Sequence, residues 1–188
     1  MKHHSILLLI LVGLLCPSPT LSQDPEFPEK DTKVTIDYDK KTDTTVVRFG
    51  PMHLMNFSSG QISYAIAEGE LRLSAFFTYK GKTLVKPESI ALIFLSVNRP
   101  LDRWELSQHK DMEIAADSGH WKIPKVEVVD SKNNNNLVIE SLGVSIPCEI
   151  FGKIANARKV NLRLGDRALD LTKQHLATLR DLAQHAGC

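Results

Sequence analysis

The chain alternates apolar and polar residues along most of its length, as half-buried β-strands do. Residues 34–38 alternate and residues 44–49 are mostly β-branched, so they predict a hairpin, which Gly50 and Pro51 are expected to end. In residues 71–79 one face of a second long strand is apolar and the other is mostly polar. These patterns favour antiparallel pairing, because antiparallel sheets commonly cover only one face.

The most continuously apolar stretch outside the N-terminal 22 residues runs from Ser89 to Val97. Its composition predicts a central strand that is covered on both faces. The strand pattern continues through residues 112–116, 121–129 and 137–146, with polar turns between them. No segment repeats at a period typical of solenoids or propellers.

The last 30 residues predict a hairpin that leads into an amphipathic helix. Residues 160–171 form two short alternating runs around a Gly-Asp turn, and Thr172 can then cap a helix of about 13 residues. The apolar residues on one face of this helix are Leu176, Leu179, Leu182 and Ala183. A helix this short must pack against an apolar surface to be stable. Helical spacing also predicts a shorter helix within residues 150–155.

Together these elements predict a mainly β fold. We expect an antiparallel β-sandwich or curved sheet, with a short helix and a C-terminal amphipathic helix packed against it. Residues 33–188 are predicted to form a single β-rich domain that ends in a hairpin plus helix, and residues 23–32 a flexible leader with two prolines.

The C-terminal segment also resembles the close of certain exported bacterial proteins of unknown function. The residues that carry this resemblance are Val160, Arg163, Leu164, Gly165, Leu169, Leu171, Leu176, Leu179, Arg180 and Leu182. Their arrangement is structural, so the resemblance implies no activity.

Residues 1–22 are typical of a secretory signal peptide. The apolar run 5–15 follows a lysine and two histidines, and it is shorter than the about 20 residues that a spanning helix needs. Cleavage after Ser22 would leave a secreted or periplasmic protein without a transmembrane helix. The alternative is a lipoprotein anchored at Cys16, although Leu15 is larger than the residue that usually precedes such a cysteine.

The charges are nearly balanced, with 23 Lys plus Arg against 22 Asp plus Glu. Strong non-specific binding to DNA or to anionic lipid requires a basic excess on at least one face, so the balance argues against both, and we expect no nucleic acid partner.

Two cysteines follow the signal-like segment, Cys148 and Cys188. In an oxidising compartment they can form a disulfide that ties the C-terminal end to the segment after Pro147. The alternative is a buried Cys148 and a free thiol at Cys188 near a frayed end.

The densest group of reactive side chains lies between residues 109 and 120, and it provides a weak candidate site at Asp117 and His120. His109 and Asp111 are expected at the other end of a strand, about 15 Å away at 3.3 Å per residue, which disfavours a shared zinc site. Two unrelated polar turns are the simpler interpretation. No nucleophile elbow, dinucleotide-binding or phosphate-binding loop, or zinc-protease motif occurs, so no catalytic residue, metal or cofactor is predicted.

Phe76 interrupts the polar face of its strand, which makes it a candidate for an exposed aromatic contact. We therefore expect an exported, non-catalytic domain that binds an unknown protein or glycan partner outside the cytoplasm through a sheet face or edge. The alternatives are a small extracytoplasmic hydrolase that uses the turn around Asp117 and His120, and a structural lipoprotein anchored at Cys16.

Overall fold

The computed structural model describes residues 33–62, 65–98, 111–117, 119–123, 126–134 and 137–188, and within these ranges residues 57–62, 65–68, 98, 130–134 and 137 are described by their backbone alone. The predicted signal peptide, the leader, Cys16 and His109 lie outside the described residues. No helix among the described residues has both the length and the apolar character needed to cross a membrane.

The larger of two antiparallel sheets has six strands in the order β1-β2-β3-β4-β8-β7. Their bounds are β1 Val34–Asp39, β2 Thr44–Ile62, β3 Ala65–Lys80, β4 Ser89–Asn98, β7 Glu127–Asn134 and β8 Leu137–Pro147. The inner face of this sheet is apolar and buried, with Leu71, Leu73 and Ala75 of β3 all at most 1% exposed. The alternating pattern of β3 therefore marked the buried face correctly.

The smaller sheet has four strands in the order β10-β9-β5-β6. Their bounds are β5 Met112–Ala116, β6 Gly119–Ile123, β9 Val160–Leu164 and β10 Arg167–Asp170. Its buried side carries Met112 and Ile114 of β5 beside Leu162 and Leu164 of β9. The predicted C-terminal hairpin is confirmed as β9 and β10.

Two helices complete the fold, α1 at Cys148–Ala155 and α2 at Lys173–Ala186. The predicted cap of α2 is confirmed: the Thr172 hydroxyl accepts from the backbone N–H of His175 at 3.2 Å, and the Thr172 N–H donates to His175 Nδ1 at 3.2 Å. Gly187 ends the helix at φ 68°, a left-handed conformation that glycine adopts without strain. The helices contact each other, α1 also contacts β4 and β8, and α2 contacts β1 and β2.

Both sheets and both helices share one apolar core. A small cavity of about 10 Å³ at its centre is lined by side chains of every layer, including Leu73 and Leu92 of the larger sheet, Leu162 of the smaller sheet, Phe151 of α1 and Leu179 of α2. The mainly β class with two helices packed against the sheets is therefore confirmed.

Three predictions about the strands were wrong. Gly50 and Pro51 do not end the first hairpin, because β2 continues past them through a register shift between Phe49 and Met52. A bulge of this kind tolerates a proline within a strand. The stretch predicted as one strand at 121–129 is divided, since β6 belongs to the smaller sheet and β7 to the larger one.

The third correction concerns β4, which was predicted to be covered on both faces. Ile90, Leu92 and Phe94 are buried on the inner face, but Ile93 and Leu95 on the outer face are only half-buried. The apolar run correctly predicted a central strand. Burial of the outer face of that strand depends on which elements lie over it.

Candidate functional site

Asp117 lies at the turn between β5 and β6, where its carboxylate binds backbone amides of a distant segment. Oδ1 accepts from the N–H of Arg158 at 2.9 Å and from the N–H of Lys159 at 3.2 Å. These amides, Lys159 first and Arg158 second, hold the pKa of Asp117 below its ordinary value. Asp117 therefore fastens the segment between α1 and β9 to the β5–β6 hairpin.

His120 points to a different partner. On β6 it pairs across the ladder with Ala115, and its Nε2 atom lies 3.5 Å from Oε2 of Glu113. Among the described residues no hydrogen bond or ion pair joins His120 to Asp117. The structure thus places the two members of the weak candidate site in two separate contacts.

On the outer face of the smaller sheet, Glu113 lies among three basic side chains. Its carboxylate lies 3.2 Å from Lys122 Nζ, 3.5 Å from His120 and 3.9 Å from Arg163. Lys122 contributes most to holding the pKa of Glu113 below its ordinary value. A lowered pKa makes the carboxylate a weaker proton acceptor, so this geometry suits cross-strand stabilisation more than proton transfer.

Glu113 was not predicted from the sequence, because its three partners lie on two other strands. Lys122 stands opposite Glu113 on β6, and Arg163 stands opposite it on β9. Only the strand register reveals that these residues share one face. No group of three metal-ligating side chains occurs in the described part of the chain.

Phe76 lies on the outer face of β3 and is half-buried. It pairs with Ala91 on β4 and with Arg48 on β2, which places it diagonally across from Ile93. The aromatic ring therefore lies between the exposed Arg48 of β2 and apolar residues of β4 on the outer face of the larger sheet.

The predicted disulfide is confirmed between Cys148 at the start of α1 and Cys188 after the end of α2. The sulfur atoms are 2.00 Å apart and the Cα atoms 5.2 Å apart. Close packing surrounds the bridge: a Cβ atom added to Gly152 would lie 2.9 Å from the carbonyl oxygen of Cys188. The bridge and the close approach of Cys188 to Gly152 hold the C-terminal residue against α1.

The larger sheet has two edge strands, β1 and β7, and they differ in regularity. β1 pairs with β2 over six consecutive residues without interruption. β7 is interrupted by a register shift after Val128. Both strands expose β-branched side chains, Ile36 at 56% on β1 and Val129 at 59% on β7.

Ile36 lies on the side of β1 that faces the core. It stands directly opposite Val47, which is only 1% exposed, and directly opposed residues share one side of a sheet. Val34 on the same side is buried at 8%, whereas Tyr38 is half-buried. The apolar inner surface of the larger sheet thus extends to an edge that α2 covers incompletely.

The chain matches no protein-family model, no curated protein and no solved structure. The resemblance of the C-terminal segment to exported bacterial proteins stays a prediction. The function is therefore inferred from the contacts and exposure of the residues described above.

Proposed function

We propose that the chain is an exported, non-catalytic interaction domain that binds an extended segment of a protein partner as an added strand beside β1. The observation that carries this proposal is Ile36, which is 56% exposed on the core-facing side of an edge strand. A partner strand placed beside β1 would cover this side chain and continue the apolar inner surface.

The backbone of β1 supports the proposal. No strand among the described residues pairs with the side of β1 that faces away from β2. An edge strand offers its outward N–H and C=O groups to an extended peptide, and an uninterrupted strand offers them at regular spacing. Six consecutive pairs with β2 give β1 an uninterrupted register over its whole length.

The position of α2 adds a second surface for the partner. This helix contacts both β1 and β2 on the inner side of the sheet. A strand added next to β1 would therefore lie beside a helix as well as beside a sheet edge. Hydrogen bonds to β1 would provide affinity, and pockets for alternate side chains would provide specificity.

Export is the part of the proposal that rests on the sequence. The N-terminal 22 residues have the composition of a signal peptide, and the Cys148–Cys188 bridge suits an oxidising compartment.

Photo-crosslinking tests the proposal. A photoreactive residue replaces Lys33, an exposed residue next to β1, and the protein is irradiated with material from outside the host cytoplasm. We expect a crosslink to one polypeptide. Ile36→Lys should reduce its yield at least about tenfold, because a charged side chain at an edge opposes strand addition.

Val129→Lys is the matched control, since Val129 is β-branched, lies on the opposite edge strand and is equally exposed. It should leave the crosslink unchanged. Thermal unfolding of both variants shows whether each is folded. A yield that Ile36→Lys does not alter, no crosslink at all, or a crosslink to glycan alone would refute strand addition at β1.

A further inference from the structure

The connection between β3 and β4 presents two adjacent apolar side chains to solvent. Leu84 is 49% exposed and Val85 is 59% exposed. All residues from Lys82 to Lys86 are exposed, so these five residues form a protruding tip, here called the 82–86 tip. Two exposed apolar residues do not mark a binding surface by themselves, so the charges around them decide what they suit.

Both ends of the connection are fixed to the body of the fold. At its start, the N–H of Gly81 donates to the carbonyl oxygen of Asp43 at 2.9 Å. At its end, the carbonyl oxygen of Glu88 accepts from the N–H of Cys148 at 2.9 Å. The 82–86 tip is therefore held on a rigid base, which lowers the entropy cost of ordering it at a surface.

Lysines outnumber carboxylates in the segments next to the tip. The turn at 39–43 lies next to it, because Lys80 Nζ donates to the carbonyl oxygen of Thr42 at 3.0 Å and Lys82 Nζ lies 5.0 Å from the centre of the Tyr38 ring. Residues 39–43 and 80–88 contain five lysines and three carboxylates. The lysines are Lys40, Lys41, Lys80, Lys82 and Lys86, and all of them are exposed.

Two of the three carboxylates are engaged within the turn itself. Asp39 accepts from the N–H of Lys41 at 2.8 Å and from the hydroxyl of Thr42 at 2.9 Å. Asp43 accepts from the hydroxyl of Tyr38 at 2.8 Å. These bonds hold the two carboxylates in place and leave them ionised, so the lysines of residues 39–43 and 80–88 exceed the carboxylates by two, and Lys86 also acts on Glu149 of α1.

An apolar tip between lysines suits a charged bilayer, in which anionic headgroups lie outside an apolar acyl region. Aliphatic side chains gain free energy by leaving water for the acyl boundary, and lysine stems extend so that their ammonium groups stay among the headgroups. Anionic lipids attract each nearby lysine further. Two copies that meet tip to tip would bring like charges together, so self-association through the tips is disfavoured.

The small size of the tip also favours a bilayer over a folded protein. A specific protein interface buries about 800 Å² on each partner, which five residues do not provide. A bilayer has no shape to match and accepts a few inserted side chains. We infer that the 82–86 tip docks the protein on anionic phospholipid bilayers by inserting Leu84 and Val85 between the lipid headgroups.

Vesicle sedimentation tests this inference with the purified full chain. We expect binding to vesicles of phosphatidylglycerol and phosphatidylcholine, weaker binding at 0.5 M salt, and none to phosphatidylcholine alone, because salt screens the lysines. Leu84→Ser with Val85→Ser should weaken binding at least about tenfold. Lys82→Gln with Lys86→Gln should weaken it about fivefold for each lysine.

The chain offers a matched control on β7, where Val128 and Val129 form another adjacent apolar pair that is 44% and 59% exposed. Val128→Ser with Val129→Ser should leave vesicle binding unchanged. The variant Leu84→Trp, compared with the parent chain, should show additional fluorescence that brominated lipids quench. Thermal unfolding and the intact disulfide mass verify that each variant is folded.

Several outcomes would overturn the inference. They are no binding of the parent chain to anionic vesicles, equal binding to neutral vesicles, or an equal loss with the Val128 and Val129 pair. An acidic protein that binds at the tip while anionic vesicles do not would assign the surface to that protein. These results are independent of the β1 test, because Ile36→Lys changes no residue of the 82–86 tip.

Discussion

Apolar side chains serve different purposes in the helical core and at the β1 side of the molecule. Leu179 of α2 is 2% exposed and lines the junction of both sheets and both helices. Ile36 of β1 is 56% exposed on the same inner side of the larger sheet. An apolar position in an alternating strand is therefore not by itself a core position. Substitutions in the core should change stability, whereas substitutions at the β1 side should change binding.

Removal of the disulfide is expected to have one of the two largest effects on stability. The bridge closes a loop with a sequence separation of 40 residues, for which the chain-entropy model gives about 4 kcal/mol. Cys148→Ser with Cys188→Ser should lower the free energy of unfolding in urea by about that amount. A loss below about 1 kcal/mol would show that packing alone holds α1 and α2 together.

Leu179→Ala sharpens the comparison directly. It enlarges a cavity in the shared core, so it should cost about 2–5 kcal/mol of unfolding free energy. Ile36→Ala, its partner at the β1 side, should change stability by no more than about 0.5 kcal/mol. Equal losses in urea denaturation would show that Ile36 belongs to the core after all.

Gly152→Ala tests the contact between α1 and the C-terminal residue. The added Cβ would lie 2.9 Å from the Cys188 carbonyl oxygen, which the bridge holds in place, so we expect a loss of about 1–3 kcal/mol. Without the two cysteines this residue can move away, and alanine should then stabilise α1 by up to about 1 kcal/mol. A double-mutant cycle measures this change of sign. An equal effect in both backgrounds would contradict the proposed coupling.

Acid should weaken the contacts of Asp117 and Glu113 before it affects the apolar core. Both carboxyls have a folded pKa below the unfolded value, so their contribution to stability is complete above the unfolded pKa of about 4. That contribution is lost as the pH falls from there through the folded pKa. Asp117→Asn should therefore reduce the pH dependence of the melting temperature between pH 5 and about 2. An unchanged pH profile would refute a stabilising role for the Asp117 carboxylate.

Ile36→Lys is expected to have the smallest effect on stability, within about 0.5 kcal/mol, because its side chain is already exposed. The same substitution should reduce crosslinking to a partner at least about tenfold. The separation of these two effects is the strongest test of the comparison. If Ile36→Lys unfolds the protein, Ile36 contributes to the stability of the core as Leu179 does.

Local patterns predicted the parts of the fold that depend on local chemistry. Thr172 caps α2 because a hydroxyl can accept from a nearby amide whatever surrounds the helix. The alternation along β3 marked its buried face because side chains of a strand alternate by geometry. The limits of β2 could not be read in this way, since its continuation past Pro51 depends on pairing with β3 around a bulge.

The candidate site shows the same division. Asp117 and His120 are close in sequence, and yet Asp117 binds the amides of Arg158 and Lys159 while His120 faces Glu113. Sequence distance gave no information about these partners, because the strands that supply them meet only after the chain has folded. The cysteine pair was easier to predict, because the two cysteines after the signal-like segment allow a single intramolecular pairing.

Sequence patterns alone predicted a mainly β protein with a capped amphipathic helix near its C-terminal end and with two cysteines, Cys148 and Cys188, that can pair. The physical reason is that alternation, capping and cysteine count act over a few residues or need no geometry. Only the tertiary structure decided that Glu113 gathers three basic side chains, and that Ile36, Leu84 and Val85 remain exposed. Exposure and charge pairing depend on which distant elements lie against each face, and strand order and register settle that.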